Sequence, residues 1–330
     1  MAHAEQTRVR STAPGPAAAP APATAPAPAR ASGSGSGSVR RMAATGLLLA
    51  AVATVVWSGS FITSRALNDS VPPVQAAFWR WIAAIAVLAP FALRATWRRR
   101  TLIRRHLGYV TLAALLGVTL YNTLVNQAGL TAPASTMGMI MAASPVLIAV
   151  CERLGGTRLG LRRIAGLAVA CLGVLLLSGD GALPSGFAAG ELWMLAAAVS
   201  FASYSVLLRR RPPELGGLPF LFAAFALGTL LLAPAHALSV AVQGGFEPTA
   251  ATVGPLLYVG VFSSALAYFA WNKAVALIGP ARAGVVYHLQ PVCVAALSFV
   301  ILGERTGPAG LLCMGLILGG VALAATGRSR

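Results

Sequence analysis

The chain has little negative charge and few cysteines. Its 330 residues include 8 aspartates and glutamates against 25 lysines and arginines. None of these acids falls in the middle of an apolar segment, which argues against a cation antiporter driven by one central carboxylate. The four cysteines, Cys151, Cys171, Cys293 and Cys313, lie in apolar segments without CxxC spacing. Neither a disulfide framework nor a zinc site is therefore indicated.

Several motifs of energy conversion and catalysis are also missing. The sequence has no GxxxxGK[ST] loop, so it offers no support for ATP-driven transport, and no HExxH or DxxD metal cluster. It has no paired acids and no histidine with an acid partner, which a membrane enzyme acting on lipids would need. We expect a protein that is not an enzyme and uses no cofactor or metal.

Long apolar stretches dominate what is present. Segments such as Gly46–Val56 and Leu311–Ala325 lack the polar face of a soluble amphipathic helix. Each stretch is about long enough to cross a bilayer. The sequence predicts an all-α integral membrane protein with ten transmembrane helices, at residues 43–66, 72–93, 107–128, 133–152, 162–179, 188–208, 217–240, 252–275, 281–302 and 308–326.

The arginines follow the alternation of the loops. With a cytoplasmic N terminus, only Arg65 and Arg305 fall on the outer side. The cytoplasmic set is Arg40, Arg41, Arg94, Arg98–Arg100, Arg104, Arg105, Arg153, Arg158, Arg162, Arg163, Arg209–Arg211, Arg282, Arg328 and Arg330. This positive-inside pattern predicts that both termini are cytoplasmic in a multi-pass plasma-membrane protein. It also explains the formal charge of +17 without a nucleic-acid partner.

The chain divides into a tail and two halves. Residues 1–42 are rich in Ala, Pro, Gly and Ser and are predicted to be a disordered cytoplasmic tail. Residues 43–180 and 181–330 each hold five predicted helices, and short motifs of the first half recur in the second at a nearly constant separation. The matching pairs are Pro145-Val146 with Pro291-Val292, Leu154-Gly155 with Leu302-Gly303, and Ala165-Gly166-Leu167 with Ala309-Gly310-Leu311. An odd number of helices per half predicts inverted repeats, as in many secondary transporters.

Four short motifs resemble those of one transporter family. They are Trp57-Ser58-Gly59-Ser60-Phe61, Phe78-Trp79-Arg80-Trp81, Gln290-Pro291 and Leu302-Gly303-Glu304. In this order the chain resembles the EamA family of the drug/metabolite transporter superfamily. The resemblance implies a ten-helix inverted-repeat fold, a central cavity and movement of small metabolites, often amino acids, usually outward. The family usually ends the fourth helix of each half with Gly-Glu, whereas here the first half has Gly155-Gly156, with Glu152 the nearest acid.

Polar and aromatic side chains within the predicted helices are the candidate substrate-binding residues. Lipid cannot hydrogen-bond them, so they should face other helices or a water-filled cavity. The predicted set is Trp57, Asn122, Trp271, Tyr287, His288 and Gln290. Pro291 frees a backbone carbonyl beside Gln290, and His288 is the only mid-helix group that titrates near neutral pH. Hydrogen bonding between helices is the alternative role for His288 and Gln290.

Arg80 is the only arginine well inside a predicted span. A buried guanidinium is costly and must be paired or face a cavity. It could bind a substrate carboxylate through two hydrogen bonds or act as a structural strut, and its position near the helix start favours the strut.

These observations predict a secondary transporter that works by alternating access. Its substrate would be a small metabolite, with amino acids and related compounds as the leading candidates and export as the expected direction. An exporter of amphipathic drugs or hydrophobic metabolites is the alternative, favoured if the cavity is mostly apolar. A membrane enzyme without transport is the weaker alternative. Membrane lipids are the expected surroundings, neither ATP nor nucleic acid is an expected partner, and any coupling ion is left open.

Overall fold

The computed structural model describes residues 34–154, 160–178 and 188–326, and all regular structure among them is helical. The helices are α1 (Ser34–Ala66), α2 (Pro73–Arg98), α3 (Arg100–Arg105), α4 (Leu107–Ala114), α5 (Tyr121–Ala128), α6 (Ala134–Ala142), α7 (Ser144–Leu154), α8 (Leu161–Ser178), α9 (Ala189–Arg209), α10 (Gly217–Gln243), α11 (Ala250–Leu257), α12 (Ala267–Tyr287), α13 (Gln290–Leu297) and α14 (Pro308–Thr326). Three π-helical segments continue them, π1 (Leu115–Leu120), π2 (Tyr258–Leu266) and π3 (Ser298–Leu302).

The chain divides into two compact units, Met1–Val39 and Arg40–Arg330. In the first unit the described residues 34–39 are helical, so helix begins before the boundary of the predicted tail at residue 42. Once a helix has formed, each further residue adds a hydrogen bond at little cost. Helices α2 to α14 lie wholly within the second unit.

The apolar helices confirm an all-α membrane protein. Six described helical spans are long and apolar enough to cross a bilayer: Arg40–Ala66, Pro73–Arg98, Leu107–Ala128, Ala189–Leu208, Gly217–Gln243 and Ala250–Trp271. Four shorter apolar helices accompany them at Ala134–Ile148, Ile164–Leu177, Gln290–Leu302 and Pro308–Ala324. The count of ten crossings and the cytoplasmic placement of both termini stay predictions.

Two predicted helices are interrupted next to a proline. The first break is at Ala143, between α6 and α7, and the second at His288 and Leu289, between α12 and α13. Proline lacks an N–H and clashes with the preceding turn, so it is accommodated in the first turn of a new helix, as Pro291 is in α13. Helical conformation also covers residues 276–280, which the sequence predicted as a connection.

The π-helical segments change which backbone groups are available. The Asn122 Nδ2 of α5 donates to two carbonyls of π1, those of Gly117 and Val118, at 3.3 Å each. In π2, the Ser264 Oγ donates to the Val259 carbonyl at 2.9 Å. Side chains thus satisfy carbonyls that the wider helix leaves without their usual partner.

Small residues allow two close helix crossings. A Cβ on Gly320 of α14 would lie 2.6 Å from the Gly166 carbonyl oxygen and 2.5 Å from the Ala170 amide of α8. A Cβ on Gly260 of π2 would lie 2.8 Å from the Arg80 carbonyl oxygen of α2. Close backbone approach of this kind is how membrane helices pack without a hydrophobic driving force. The second crossing brings π2 against the turn of α2 that carries Arg80.

The bundle has two chemically different ends. We call the end with residues 98–106 and 210–216 the basic end, because these connections carry seven arginines. The end with residues 67–72, 129–133 and 303–307 is called the opposite end. Contacts join the segments at each end: Leu102, Ile103, Leu215 and Phe220 pack in one apolar cluster at the basic end. The positive-inside pattern predicts that the basic end is cytoplasmic.

Candidate functional site

Arg80 is held by serine hydroxyls from π2. Its Nε donates to the Ser264 Oγ at 2.9 Å, and its Nη2 donates to the Ser263 Oγ at 3.4 Å. The Ser263 Oγ also shares a hydrogen bond of 2.6 Å with the Ser60 Oγ of α1. All three serines are buried. The guanidinium of the first half is therefore held by two hydroxyls of the second half, and Ser60 binds one of them.

No acid neutralises this guanidinium in the described part of the chain. The contacts between a basic and an acidic side chain found there are the Arg65–Glu304 ion pair and the approach of the His106 Nε2 to the Glu214 Oε1 at 3.3 Å. The Arg80 Nη1 has no hydrogen-bond partner among the described residues. Aromatic groups surround the charge instead: the guanidinium carbon lies 5.4 Å from the centre of the Trp81 ring. Such a cation can still bind a carboxylate, and at low dielectric that interaction is strong.

Four aromatic rings form a cluster beside this cation, called here the aromatic cluster: Trp57, Tyr268, Trp271 and Tyr287. The Trp57 ring is central, with centroids 5.4 Å from Tyr268, 5.4 Å from Trp271 and 5.8 Å from Tyr287. The Trp57 Nε1 donates to the Ser263 carbonyl at 2.9 Å. The same π2 residue therefore fixes both the aromatic cluster and the Arg80 side chain. All four rings are partly exposed and can contact a ligand.

The structure brings together four of the predicted site residues: the rings of Trp57, Trp271 and Tyr287 contact one another, and the Gln290 side chain interacts with Tyr287. Asn122 is not joined to this group, because its buried side-chain amide donates to the carbonyls of π1. Gln290 is buried at the start of α13, where its backbone carbonyl accepts from the Ser58 Oγ at 3.4 Å. His288 is half-buried in the break before α13, and among the described contacts none joins it to the aromatic cluster.

A cavity of about 830 Å³ adjoins the aromatic cluster at Tyr268 and reaches Arg211 at the basic end. It lies between α2, α9, α10 and the π2–α12 helix. Tyr268 lines its inner part, and Arg211 lines it at the basic end. Most of the remaining wall is hydrocarbon, from residues such as Leu88, Phe91, Leu218, Leu221, Leu266 and Phe269.

The opposite end is joined by a polar network around Glu304. The Glu304 Oε1 accepts from the Arg65 Nε at 3.1 Å, and its Oε2 accepts from the Ala134 amide at 3.1 Å and the Ser298 Oγ at 2.5 Å. The Arg65 Nη1 also donates to two carbonyls of the α5–α6 connection, at 3.3 Å each. Because Glu304 contacts α1, α6 and π3, it connects the two halves.

Sequence reasoning missed three serines and the Glu304 network. The serines at positions 60, 263 and 264 look like small packing residues, because a hydroxyl in an apolar helix can bond its own backbone. The adjacent pair Ser263-Ser264 in the middle of an apolar run is the signal that could have found them. The counterpart of Glu304 in the first half cannot be described, since the Glu152 side chain and Gly155-Gly156 lie outside the described residues.

Comparison with known proteins identifies a transporter family. The model of the EamA-like transporter family matches residues 44–179 and 188–326. A protein of Streptantibioticus cattleyicolor named "Probable terminal-alkyne amino-acid exporter" is 30% identical over 282 residues, which cover 83% of this chain and 91% of that protein. An uncharacterized transporter of Archaeoglobus fulgidus is 27% identical over 266 residues, covering 78% and 89%.

Two further similarities concern location and fold. The uncharacterized inner membrane transporter YedA of Escherichia coli K12 is 24% identical over 278 residues, covering 83% of this chain and 88% of YedA. A solved crystal structure is 25% identical with a TM-score of 0.56, and the similarity covers 85% of this chain and 96% of that one. The apolar helices and these matches together make the chain a multi-pass membrane protein.

Proposed function

Because this chain belongs to the EamA-like transporter family, we propose that it is a secondary transporter that exports an amino acid or related carboxylate by alternating access. Support for the amino-acid class comes from the name of the Streptantibioticus relative. Support for a plasma-membrane location comes from the name of YedA. Export is the direction expected if the basic end, where the cavity opens, is cytoplasmic.

One observation carries the carboxylate assignment: Arg80, whose partner Ser264 directly precedes the cavity-lining Ala265, has no acid partner in the described structure. Two serine hydroxyls bind its Nε and Nη2, and its Nη1 has no described partner. Neutral hydroxyls recover only part of the cost of burying a cation. A substrate carboxylate would supply the missing counter-charge and form two parallel hydrogen bonds with the guanidinium. This argues for binding over the strut role that the sequence favoured.

The transport cycle then follows from the two ends of the bundle. In the described conformation the cavity reaches the basic end, while the Glu304 network joins the two halves at the opposite end. Substrate would reach Arg80 from the basic end, and the Glu304 contacts would break as the opposite end opens. Two repeats that rock about a site near the middle of the membrane provide such a motion.

The test is flux of radiolabelled amino acids into proteoliposomes, with Arg80→Gln, Arg80→Lys and a matched control. Arg100→Gln is the control, because Arg100 also lies over a tryptophan, at 5.2 Å from the Trp97 ring centre, but is exposed at the basic end. We expect saturable flux from the wild type and Arg100→Gln. Arg80→Gln should lose roughly 10- to 100-fold in kcat/KM, the value of a hydrogen-bonded charge pair. Unchanged flux in Arg80→Gln would make Arg80 a strut and remove the carboxylate assignment.

An exporter of amphipathic compounds without a carboxylate is the second candidate. The hydrocarbon wall of the cavity favours it. Such compounds would compete for flux without depending on Arg80, so Arg80→Gln separates the two candidates. A methyl ester or amide of the best amino acid serves the same purpose, since it keeps the tail and removes the anionic head.

A further inference from the structure

We propose that the apolar cavity between Tyr268 and Arg211 holds the hydrocarbon tail of the transported molecule, so that the preferred substrates are carboxylates with an extended apolar tail. The inference rests on the proposed function, because it takes Arg80 as the partner of the carboxylate. It adds the substrate class, which neither the family nor the Arg80 geometry specifies.

The wall of the cavity is mainly hydrocarbon. Leucine, valine, phenylalanine and alanine side chains form most of it, and Tyr204, Tyr268 and Arg211 supply its polar side chains. A volume of about 830 Å³ lies in the upper part of the range for drug-sized ligands, about 300–1,000 Å³. A short amino acid would leave much of this hydrocarbon surface in contact with water. A longer apolar tail would cover it and gain free energy for each methylene buried.

The cavity wall adjoins a hydrogen-bonding partner of Arg80. Ala265 lines the cavity and directly follows Ser264, whose Oγ accepts from the Arg80 Nε at 2.9 Å. Tyr268, one turn further along, lines the cavity and packs on Trp57 at 5.4 Å. A partner of Arg80 and the apolar wall thus lie on consecutive residues of π2. Under the proposed function, a molecule whose head binds Arg80 would extend its tail along this wall.

A basic side chain, Arg211, lies at the mouth of the cavity. Arg211 is exposed, and its guanidinium lies 5.6 Å from the Phe220 ring centre. The nearby acid, Glu214, pairs with His106 at 3.3 Å rather than with Arg211. A molecule approaching from this end therefore meets a cation before the hydrocarbon wall. This favours anionic amphiphiles over the cationic ones that many drug exporters accept.

The experiment measures how tail length changes competition for flux. Straight-chain amino acids from 2-aminobutyrate through norvaline and norleucine to 2-aminooctanoate compete with a radiolabelled substrate in proteoliposomes. We expect the inhibition constant to fall about fourfold per added methylene, as burial of one CH₂ predicts. A hydroxyl at the tail end, as in 5-hydroxynorvaline, should raise the inhibition constant again.

Two variants of α10 locate the tail. Leu218→Trp places a larger ring in the cavity wall, whereas Leu230→Trp makes the same change at a side chain that is 67% exposed and outside the cavity. Leu218→Trp should raise the inhibition constant of 2-aminooctanoate at least about tenfold more than that of 2-aminobutyrate, because the larger ring takes the space of the long tail. Leu230→Trp should leave both inhibition constants unchanged.

Each other result overturns the inference in a recognisable way. Saturable, Arg80-dependent flux with no tail-length effect would refute the tail site and leave the proposed function standing. A tail-length effect that is equal in Leu218→Trp and wild type would place the tail elsewhere. A copurified phospholipid that 2-aminooctanoate cannot displace would assign the cavity to a lipid chain. If no carboxylate of the series moves or competes in folded protein, the proposed function itself fails.

Discussion

Each end of the bundle carries a contact between a basic and an acidic side chain from the two halves of the chain, but the two contacts differ in their surroundings. At the opposite end, Glu304 is 20% exposed and also accepts from Ala134 and Ser298. At the basic end, His106 and Glu214 lie 3.3 Å apart, and Glu214 is 51% exposed. A partly buried carboxylate with several donors stabilises a contact far more than an exposed pair does. The difference explains how one end can be closed while the other keeps a cavity open.

The comparison also separates a closing role from a recognition role. Glu304 is satisfied by protein groups, so in this conformation it has no need of a ligand. Arg80 has only neutral hydroxyl partners among the described residues. Under the proposed function, Glu304 holds the halves together and Arg80 is left for the substrate.

The largest effect is expected when the Glu304 network is removed. Glu304→Ala should lose about 2–3 kcal/mol of the free energy that holds this end closed, because Arg65 and the Ala134 amide lose their acceptor. That shifts the equilibrium towards the open end by roughly 30- to 160-fold. Ser64 precedes Arg65 in α1 and is only 7% exposed, so labelling of Ser64→Cys by a membrane-impermeant maleimide, in a background without the four native cysteines, should accelerate accordingly.

Asp69→Cys provides the control for that measurement. Asp69 is exposed in the connection between α1 and α2, so its cysteine should react equally with and without Glu304→Ala. It also shows which side of a sealed vesicle faces the reagent. Slow labelling of Ser64→Cys in the Glu304→Ala variant would mean that other contacts hold this end closed.

A smaller effect is expected from a single donor of the same network. Ser298 is fully buried, and its Oγ lies 2.5 Å from the Glu304 Oε2. Ser298→Ala should lower the free energy of unfolding by about 1–2 kcal/mol, the value of a hydrogen bond to a charged group. Thermal unfolding in detergent measures it. Ser205→Ala is the matched control, because the Ser205 Oγ bonds only its own helix at 2.7 Å.

The smallest effect is expected at the basic end. Glu214→Gln should change the free energy of unfolding by about 0.5 kcal/mol or less, since an exposed pair gains little in water. The difference from wild type should disappear in high salt, whereas that of Ser298→Ala should persist. A loss as large as that of Ser298→Ala would show that both ends are held with similar strength.

Much of the architecture could be predicted from the sequence. Apolar runs and arginine placement are local properties, and they were sufficient for the membrane class. Four short motifs indicated the family. The breaks before Ser144-Pro145 and Gln290-Pro291 were harder to predict, since a proline inside an apolar run is compatible with a kinked helix or a new one. Residues 276–280 contain Gly279-Pro280, which indicated a connection, yet the chain stays helical there.

The candidate site was predicted only in part. Trp57, Trp271 and Tyr287 were found because large aromatic side chains stand out in apolar helices, and they do meet. Asn122 stood out as a polar amide in an apolar helix, but it donates to the backbone of π1. A π-helical turn has no signature in the hydropathy pattern, so this outcome could not have been foreseen.

The sequence alone determined the membrane class, the family and the two chemically different ends, because these depend on composition along short stretches of chain. Tertiary structure alone decided what surrounds each charge. Ser60 and Ser263 meet at Arg80, and Arg65 meets Glu304, although each pair is separated by more than half the chain. Such partners are chosen by helix packing, and in a membrane the partner of a buried charge sets both its cost and its use.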